Sequence, residues 1–282
     1  MSNVFKYCDA RGVDILRNLE LKITPPNQLN DVFEFSPHVI CSAPRRMAKD
    51  ALRDKATVRE SYHEDKRSGF FVGTEREYRR FWKSRRKTLL TPLAGGIVEK
   101  LPAVQASFAR LQSRYGGVLC LTSNPDSAVM WSHYADQHRG IVVEFDSSWP
   151  LFAAGKGLRP VDYVRERPRW DEAAAEGSEA EKAQFDAVIF HKNKEWSYES
   201  ESRQLFLLHG LKRSPLDNGR EGYFLSIRAE IIISVRLGMR CDPETVAKTR
   251  DALKTPSLSH VALKKAMPND KEFSMTTVDL KV

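Results

Sequence analysis

The chain has 282 residues, 41% of them hydrophobic, and a formal net charge of +8 at pH 7. A chain of this length can bury one large core or two small ones. No apolar run approaches the roughly 18 residues that a membrane helix needs, and no basic-then-apolar leader is visible, so we expect no membrane span and no secretory signal. The cysteines are widely spaced, which favours a reducing, cytoplasmic location over disulfides or structural zinc.

The hydrophobic pattern predicts short strands and helices in alternation along the chain. Strands are expected at 4–7, 21–23, 117–122, 140–146, 159–164, 202–208, 223–227, 231–237, 260–266 and 273–280. Helices are expected at 13–19, 45–66, 74–112, 126–135, 185–194 and 243–253. Breaks are predicted in the third helix at Pro92, Gly95-Gly96 and Pro102. The pattern predicts an α/β (α+β) fold with a mixed, partly antiparallel sheet in a single domain, residues 1–282.

Residues 45–112 are predicted to form a basic helical insertion within this domain. Residues 45–87 hold 15 lysines and arginines against 7 acidic residues, a surplus of +8 that equals that of the whole chain. Interleaved aromatic residues make the region similar in composition to surfaces that bind single-stranded nucleic acid or a nucleotide. The candidate phosphate contacts are Arg79, Arg80, Lys83, Arg85, Arg86 and Lys87. The alternative is a solvated insertion whose aromatic residues pack on the body of the protein.

A short segment between two predicted strands holds several polar and aromatic side chains. Its members are Trp131, Ser132, His133, Tyr134 and His138. Sites are often built on such short connections held by a sheet. His133 is a candidate for hydrogen bonding or acid–base chemistry, and the alternative is a histidine that braces the turn. The two histidines are five residues apart, a poor spacing for zinc ligands, so no metal site is predicted.

A second constellation is Glu199, Glu201 and Arg203, which would share one side of an extended chain. Two carboxylates so close repel each other, so we expect one to be protonated or paired with Arg203. This group could polarise a ribose hydroxyl, orient a nucleophile or bind a metal. The alternative is an ordinary salt-bridged strand edge.

Four blocks of the chain together resemble a bacterial family known only as domain-of-unknown-function family 2971. The blocks are Phe5-Lys6-Tyr7, residues 21–34, residues 130–145 and residues 194–203. The resemblance spans most of residues 4–240. It implies a shared fold and places the carboxylates in a defined block, but it implies no established chemistry.

The opening order of strand, helix, strand and polar turn also resembles the ADP-ribosyltransferase superfamily, which implies NAD as a co-substrate. The resemblance implies that Lys6 or Arg11 meets the nicotinamide ribose, and that Tyr134 or Tyr7 lies against the ring. A glutamate, here Glu201 or Glu199, would stabilise the oxocarbenium-like ribose. The candidate catalytic residues are therefore Glu199, Glu201, His133 and Tyr134. The candidate binding residues are Lys6, Tyr7, Asn30, Asp31, Trp131, Ser132 and Arg203.

Three classes of function follow. The leading hypothesis is an ADP-ribosyltransferase-like or NAD-consuming effector, of the toxin or phage-defence kind. The second is a nucleic-acid-directed effector, either a nuclease or an RNA- or DNA-binding module, that uses the basic insertion. The third is a non-catalytic interaction protein. The absence of a P-loop, a G-x-G-x-x-G turn and a G-x-S-x-G elbow disfavours Walker-type hydrolysis, Rossmann redox chemistry and serine hydrolysis.

Overall fold

A computed structural model describes residues 3–114, 116–152, 157–216 and 219–281, and it confirms an α/β fold with a mixed sheet. The strands are β1 (Val4–Cys8), β2 (Glu20–Ile23), β3 (His38–Ile40), β4 (Gly116–Thr122), β5 (Ile141–Phe145), β6 (Arg159–Pro160), β7 (Asp162–Val164), β8 (Arg169–Asp171), β9 (His191–Asn193), β10 (Glu201–Leu207), β11 (Lys212–Pro215), β12 (Glu221–Ser226), β13 (Ile232–Leu237), β14 (Ala262–Pro268) and β15 (Met275–Leu280). The α-helices are α1 (Val13–Asn18), α2 (Pro44–Ala51), α3 (Lys55–Arg67), α4 (Glu75–Gln112), α5 (Ala128–Tyr134), α6 (Glu179–Phe190) and α7 (Pro243–Leu253).

The chain divides into two compact units, and each is built from separate stretches of sequence. The first comprises Met1–Glu34, Ala109–Glu166 and Phe190–Val282. The second comprises Phe35–Phe108 and Arg167–Ile189. The assignment of residues 1–282 to one domain, with 45–112 as an insertion, stays a prediction.

The first unit is organised around an eight-stranded sheet of order β15-β14-β13-β5-β1-β4-β10-β6, in which the β13–β14 pair is parallel and the other pairs are antiparallel. Strand β5 is buried along its whole length, as expected of an apolar strand with both faces covered. The register aligns Phe5 with Thr122 and Thr122 with Glu201, so these three residues lie in one row on one face. A second sheet of this unit, β11-β12-β2, is antiparallel.

Helix α5 packs on the sheet face that carries Phe5 and Tyr7. Its first turn is capped by the Ser127 hydroxyl, which accepts a hydrogen bond from the Met130 amide. Trp131 is fully buried, so this residue of the predicted site belongs to the core. The chain then leaves the helix through three consecutive left-handed residues, 136–138, and reaches Gly140. A Cβ there would lie 2.0 Å from the carbonyl oxygen of Cys8, so only glycine fits.

The second unit contains α2, α3, most of α4 and α6, together with the parallel pair β3 and β8. The expected helix at 45–66 is two helices, because Asp54 caps α3 by accepting a hydrogen bond from the Thr57 amide. The prediction that α4 breaks at Pro92, Gly95-Gly96 and Pro102 was wrong, because the helix is continuous from Glu75 to Gln112. A proline removes one backbone donor, and the hydrogen bonds of the other turns suffice to continue this helix.

The aromatic residues of the basic region pack against one another. Tyr62 and Tyr78 are buried beside Val58, and Phe71, Phe81 and Trp82 cover them. Packing of these aromatic residues within the protein is the alternative considered above to a surface on which nucleic-acid bases stack.

Two further elements differ from the expected ones. The helix predicted to continue to residue 194 ends at Phe190, and the next three residues form β9. The strand predicted at 159–164 is two short strands, β6 and β7. Across the described ranges, no helix combines the length and the apolar character needed to cross a membrane.

Candidate functional site

The first unit holds a cavity of about 290 Å³, which we call the carboxylate cavity. It lies beside the row of Phe5, Thr122 and Glu201 and receives side chains from α5. Its lining residues are Phe5, Lys6, Tyr7, Thr24, Gln28, Leu29, Asn30, Glu34, Cys120, Leu121, Thr122, Met130, Tyr134, Lys192, Glu199 and Glu201. A concave site with a mostly apolar wall and a few convergent polar groups is the usual form of a small-molecule site.

Beside this cavity lies a buried ion cluster, formed by Glu34, Lys192, Glu199, Glu201 and Arg203. The Lys192 ammonium is at its centre. Its Nζ atom lies 3.1 Å from Glu34 Oε1, 2.5 Å from Glu199 Oε2 and 2.9 Å from Glu201 Oε2. Buried charges require such pairing, because desolvation of an unpaired charge is prohibitive.

Arg203 completes the ion cluster and is fully buried. Its Nε atom donates to Glu201 Oε1 at 2.7 Å, and its Nη2 atom donates to Glu201 Oε2 at 3.0 Å. Nη2 also donates to Glu34. The paired contact with Glu201 is the bidentate geometry in which arginine binds carboxylates most strongly. Three carboxylates thus face two cations, so the ion cluster has an excess of one acidic group.

The two carboxyls of the Glu-x-Glu pair differ in pKa. Burial alone would raise the pKa of Glu201, but the Arg203 guanidinium and the Lys192 ammonium outweigh it and hold the pKa at about 2. Burial also raises the pKa of Glu199, and there the attraction of Lys192 offsets only part of the effect. Glu201 is therefore the fixed anion of the pair, and Glu199 is the group that can exchange a proton near the cavity.

Glu199 is linked to the cavity wall by a chain of hydrogen bonds. The Tyr134 hydroxyl donates to Glu199 Oε1 and accepts from Asn30 Nδ2 at 3.0 Å. Burial and then the contact with Glu199 raise the Tyr134 pKa far above its usual value. Tyr134 therefore remains a neutral hydrogen-bond donor that holds the Glu199 carboxyl in place.

Local backbone geometry brings Glu199 and Glu201 together. The expectation that Glu199 shares one side of an extended chain with Glu201 and Arg203 was wrong, because Lys194–Glu199 forms a 3₁₀ helix. Ser200 then adopts a left-handed conformation, with φ 45° and ψ 47°, and β10 begins at Glu201. The reversal at Ser200 lets both carboxylates reach Lys192 although only one of them belongs to the strand. Glu201 and Arg203 do share a strand face, as expected.

The structure brings together six of the residues expected at the site. Lys6, Tyr7, Asn30, Tyr134, Glu199 and Glu201 all line the carboxylate cavity. Arg203 contacts the cavity residue Glu201 from within the core. Lys6 Nζ donates to the carbonyl oxygen of Cys120 at 3.3 Å, and the Tyr7 hydroxyl donates to the carbonyl oxygen of Asn124 at 3.0 Å.

Four of the expected residues do not line the cavity. Trp131 belongs to the core, where its ring stacks on His138. Asp31 is nearly buried, and its Oδ1 atom accepts from the Phe33 amide. Ser132 and His133 are exposed on α5. Ser132 and His133 lie on the outward face of α5, because Met130 and Tyr134 occupy the face that lines the cavity.

His133 instead belongs to an aromatic group outside the cavity. Its Nδ1 atom lies 3.2 Å from the Tyr198 hydroxyl, and its ring is 6.5 Å from that of Trp196. Its position there supports the bracing role.

Sequence reasoning missed Lys192 and Glu34. Lys192 falls within the helix predicted at 185–194, and Glu34 falls within the block 21–34, so neither was predicted as a site residue. A signal was present, because two carboxylates next to a predicted core strand with only Arg203 beside them indicate a further cation.

Cys120 lines the cavity from β4. Burial, and then the Glu201 carboxylate, raise the pKa of its thiol well above the usual value. Cys120 is therefore a neutral thiol and a poor nucleophile. Within the described parts of the chain, no group of three or more His, Cys, Asp or Glu side chains has the geometry to hold a metal ion.

The residues expected to contact nucleic acid lie on α4 in the second unit. Arg79, Arg80, Lys83, Arg85 and Lys87 are exposed there. Arg86 is half-buried, and its Nε atom donates to the carbonyl oxygen of Leu52 at 3.0 Å, so it supports the packing of the helices.

Comparison with known proteins supports the resemblance to domain-of-unknown-function family 2971. Residues 130–204 match the model of the family described as "Protein of unknown function (DUF2971)". The matched range runs from α5 to β10 and includes Tyr134, Lys192, Glu199, Glu201 and Arg203. No curated protein and no solved structure shows significant similarity to the chain.

Proposed function

We propose that the first unit is an enzyme that cleaves the glycosidic bond of a nucleotide such as NAD, as an ADP-ribosyltransferase-like or NAD-hydrolysing effector. The observation that carries the proposal is Glu199. This carboxyl is fixed by Tyr134 and Lys192 and lines a cavity large enough for a ribose and its base.

The proposed reaction needs little acid–base chemistry. The bond between the ribose C1′ and the nicotinamide nitrogen breaks, and its electron pair leaves with nicotinamide, which becomes neutral. Positive charge develops on C1′ and the ring oxygen. Water or an acceptor group then bonds to C1′ and loses a proton, which passes to the Glu199 carboxylate or to solvent. An ionised Glu199 facing C1′ would stabilise the developing charge, as carboxylates do in glycoside cleavage.

The surrounding residues position this carboxylate. Tyr134 and Lys192 each contact one Glu199 oxygen, which fixes the plane of the carboxylate. Glu201 stays ionised and holds Lys192 from the other side. Lys6, Tyr7 and Asn30 lie on the wall and would contact the substrate. Release of a nucleotide's base in this way would deplete a cell of NAD, as a toxin or phage-defence effector does.

The test is release of nicotinamide from NAD by the purified protein, followed by chromatography. We expect Glu199→Gln to lower the rate by about 100-fold or more, the effect typical of losing one stabilising group for transition-state charge. Glu195→Gln is the matched control, because Glu195 is exposed on the same 3₁₀ helix and should retain full activity. A wild-type protein that releases no nicotinamide, or an active Glu199→Gln variant, contradicts the proposal.

A second candidate function belongs to the second unit and rests on the spacing of basic residues along α4. Arg76, Arg80, Lys83 and Lys87 are exposed and recur at intervals of three and four residues. Side chains at this spacing lie on one helix face and would form a basic stripe. Such a stripe suits the phosphates of a nucleic acid.

A further inference from the structure

A second cavity of the first unit, of about 530 Å³, adjoins the carboxylate cavity, and we call it the basic cavity. The two cavities share Lys6, Tyr7 and Tyr134 in their linings. One ligand can therefore extend from one cavity to the other past these three side chains. Each volume is close to or within the range of roughly 300–1,000 Å³ that is usual for small-molecule sites.

The cationic residues of the basic cavity come from three strands and a short 3₁₀ helix. Lys22 on β2 is aligned with Phe224 on β12, and Phe224 is aligned with Lys212 on β11. This cross-strand row puts two ammonium groups on one side of the three-stranded sheet with an aromatic ring between them. Lys6 and Arg11 also line the cavity.

Two of these cations are already neutralised. Lys212 Nζ lies 2.8 Å from Glu20 Oε1, and Arg11 pairs with Asp9 at 2.5 Å. Lys6 and Lys22 are different, because no carboxylate of the described chain lies within ion-pair distance of either ammonium.

Asp14 is the remaining acid of the lining, and it is exposed. Burial, together with the positive charges of Lys6, Arg11 and Arg220, lowers the pKa of Lys22. An anion beside Lys22 would relieve this repulsion.

We propose that the basic cavity is a phosphate-binding subsite, for the phosphate or pyrophosphate of a nucleotide whose sugar occupies the carboxylate cavity. Lys22 and Lys6 are the anion-binding groups. Lysine ammonium groups bind phosphate as compact point charges, and two of them suit the paired charges of a pyrophosphate. The inference rests on the proposed function for the sugar end of the ligand, but the anion site has its own test.

The test measures binding of inorganic pyrophosphate to the full chain by calorimetry at about 50 mM salt, where charge interactions are weakly screened. We expect Lys22→Met to weaken binding by at least 10-fold and Lys22→Arg to retain most of it. Lys264→Met is the matched control, because Lys264 is a half-buried strand lysine that lines neither cavity, and its affinity should be unchanged. Melting temperatures of all variants verify that each one folds.

The outcomes separate this inference from the proposed function. Glu199→Gln should bind pyrophosphate as tightly as wild type, since Glu199 does not line the basic cavity. Pyrophosphate binding that depends on Lys22, in a protein that never cleaves NAD, would leave the anion site standing and contradict the enzyme. NAD cleavage with a KM unchanged in Lys22→Met, together with unchanged pyrophosphate affinity, would overturn the anion site. Absence of pyrophosphate binding by wild type would overturn it as well.

Discussion

Glu199 and Glu201 are separated by one residue, yet their environments shift their pKa values in opposite directions. Two cations hold Glu201, whereas Glu199 has one cation and a tyrosine. A pair of carboxyls with divergent pKa values is a common arrangement in acid–base and glycosidic chemistry, because the two groups can then play different roles. The difference in pKa also determines how each of the two carboxyls contributes to the free energy of unfolding.

Glu201→Gln is expected to lower the free energy of unfolding by about 3 to 5 kcal/mol at pH 7, because it breaks the buried bidentate ion pair between Glu201 and Arg203. The folded pKa of about 2 lies below the ordinary value of 4.5. The stabilisation from Glu201 is therefore complete above pH 4.5 and is lost as the pH falls towards 2. Urea unfolding at several pH values measures both effects.

The control for this prediction is Glu195→Gln, which should leave stability nearly unchanged. Glu199 should act in the opposite sense to Glu201: its raised pKa stabilises the fold below pH 4.5, and this contribution is lost as the pH rises through the raised value. A Glu201→Gln protein as stable as wild type would mean that the ion cluster contributes little to folding.

Tyr134→Phe is expected to raise the pKa of Glu199 further, because the Tyr134 hydroxyl stabilises the ionised carboxylate. If Glu199 acts ionised, activity falls on the acid side, and the midpoint of this fall lies above pH 4.5. In Tyr134→Phe the midpoint should move to higher pH. The pH profile of kcat/KM for NAD measures this shift, and a profile that does not move would place the titration on another group.

At the scale of elements, the reversal between the 3₁₀ helix and β10 depends on Ser200. Its left-handed conformation costs a non-glycine residue about 1–2 kcal/mol, and a β-branched side chain tolerates it worse. Serine already bears this cost, so Ser200→Val should lower the free energy of unfolding further, by up to about 1 kcal/mol, and reduce activity, because it displaces Glu199. Ser200→Gly should retain activity and be at least as stable as wild type. Since Ser200 is exposed, equal losses in the two variants would point to a lost side-chain contact rather than to the backbone.

Regular elements were the part of the fold that the sequence predicted best. Helix α7 runs from Pro243 to Leu253 as expected, because Asp242 caps it and proline fits its first turn. Strands β1, β4, β5 and β10 also lie at their predicted places, because their apolar residues recur with a strand period or in buried runs. The breaks expected in α4 were wrong because local propensity is a weak guide in a long helix.

The candidate site was predictable where polar residues interrupt buried strands. Glu199, Glu201 and Arg203 could be found because three charges in an apolar context need an explanation. Lys192 could not be placed, since its contacts depend on a strand of three residues that local sequence does not specify. Trp131 lies in the core, and its sequence context alone does not distinguish a buried tryptophan from one at a site.

At the scale of the whole molecule, the net charge of +8 is concentrated in residues 45–87. Neutralising the basic stripe should flatten the logarithmic salt dependence of any nucleic-acid binding by about 3, at about 0.7 to 0.9 for each of four phosphate contacts. The variant replaces four residues by glutamine: Arg76, Arg80, Lys83 and Lys87. Fluorescence anisotropy with RNA and DNA at several salt concentrations measures the slope.

The matched control neutralises four exposed lysines of the first unit: Lys248, Lys254, Lys271 and Lys281. It has the same change in net charge and should keep the slope. Equal slopes for wild type and the stripe variant would exclude this surface as the phosphate contact. Wild-type protein that binds neither RNA nor DNA at about 50 mM salt would leave the stripe as a solvated helix face.

The central position of Lys192 has a consequence for its reactivity towards chemical labels. Burial alone would lower its pKa, but the three carboxylates of the ion cluster raise it instead, so the amine keeps its proton and lacks a free electron pair. Acylating reagents should therefore modify exposed Lys194 quickly at pH 8 and leave Lys192 unmodified. Mass spectrometry of timed samples compares the two lysines within one molecule. A slow acylation of Lys192 would then measure the rate at which the buried ion cluster becomes exposed to solvent by local opening.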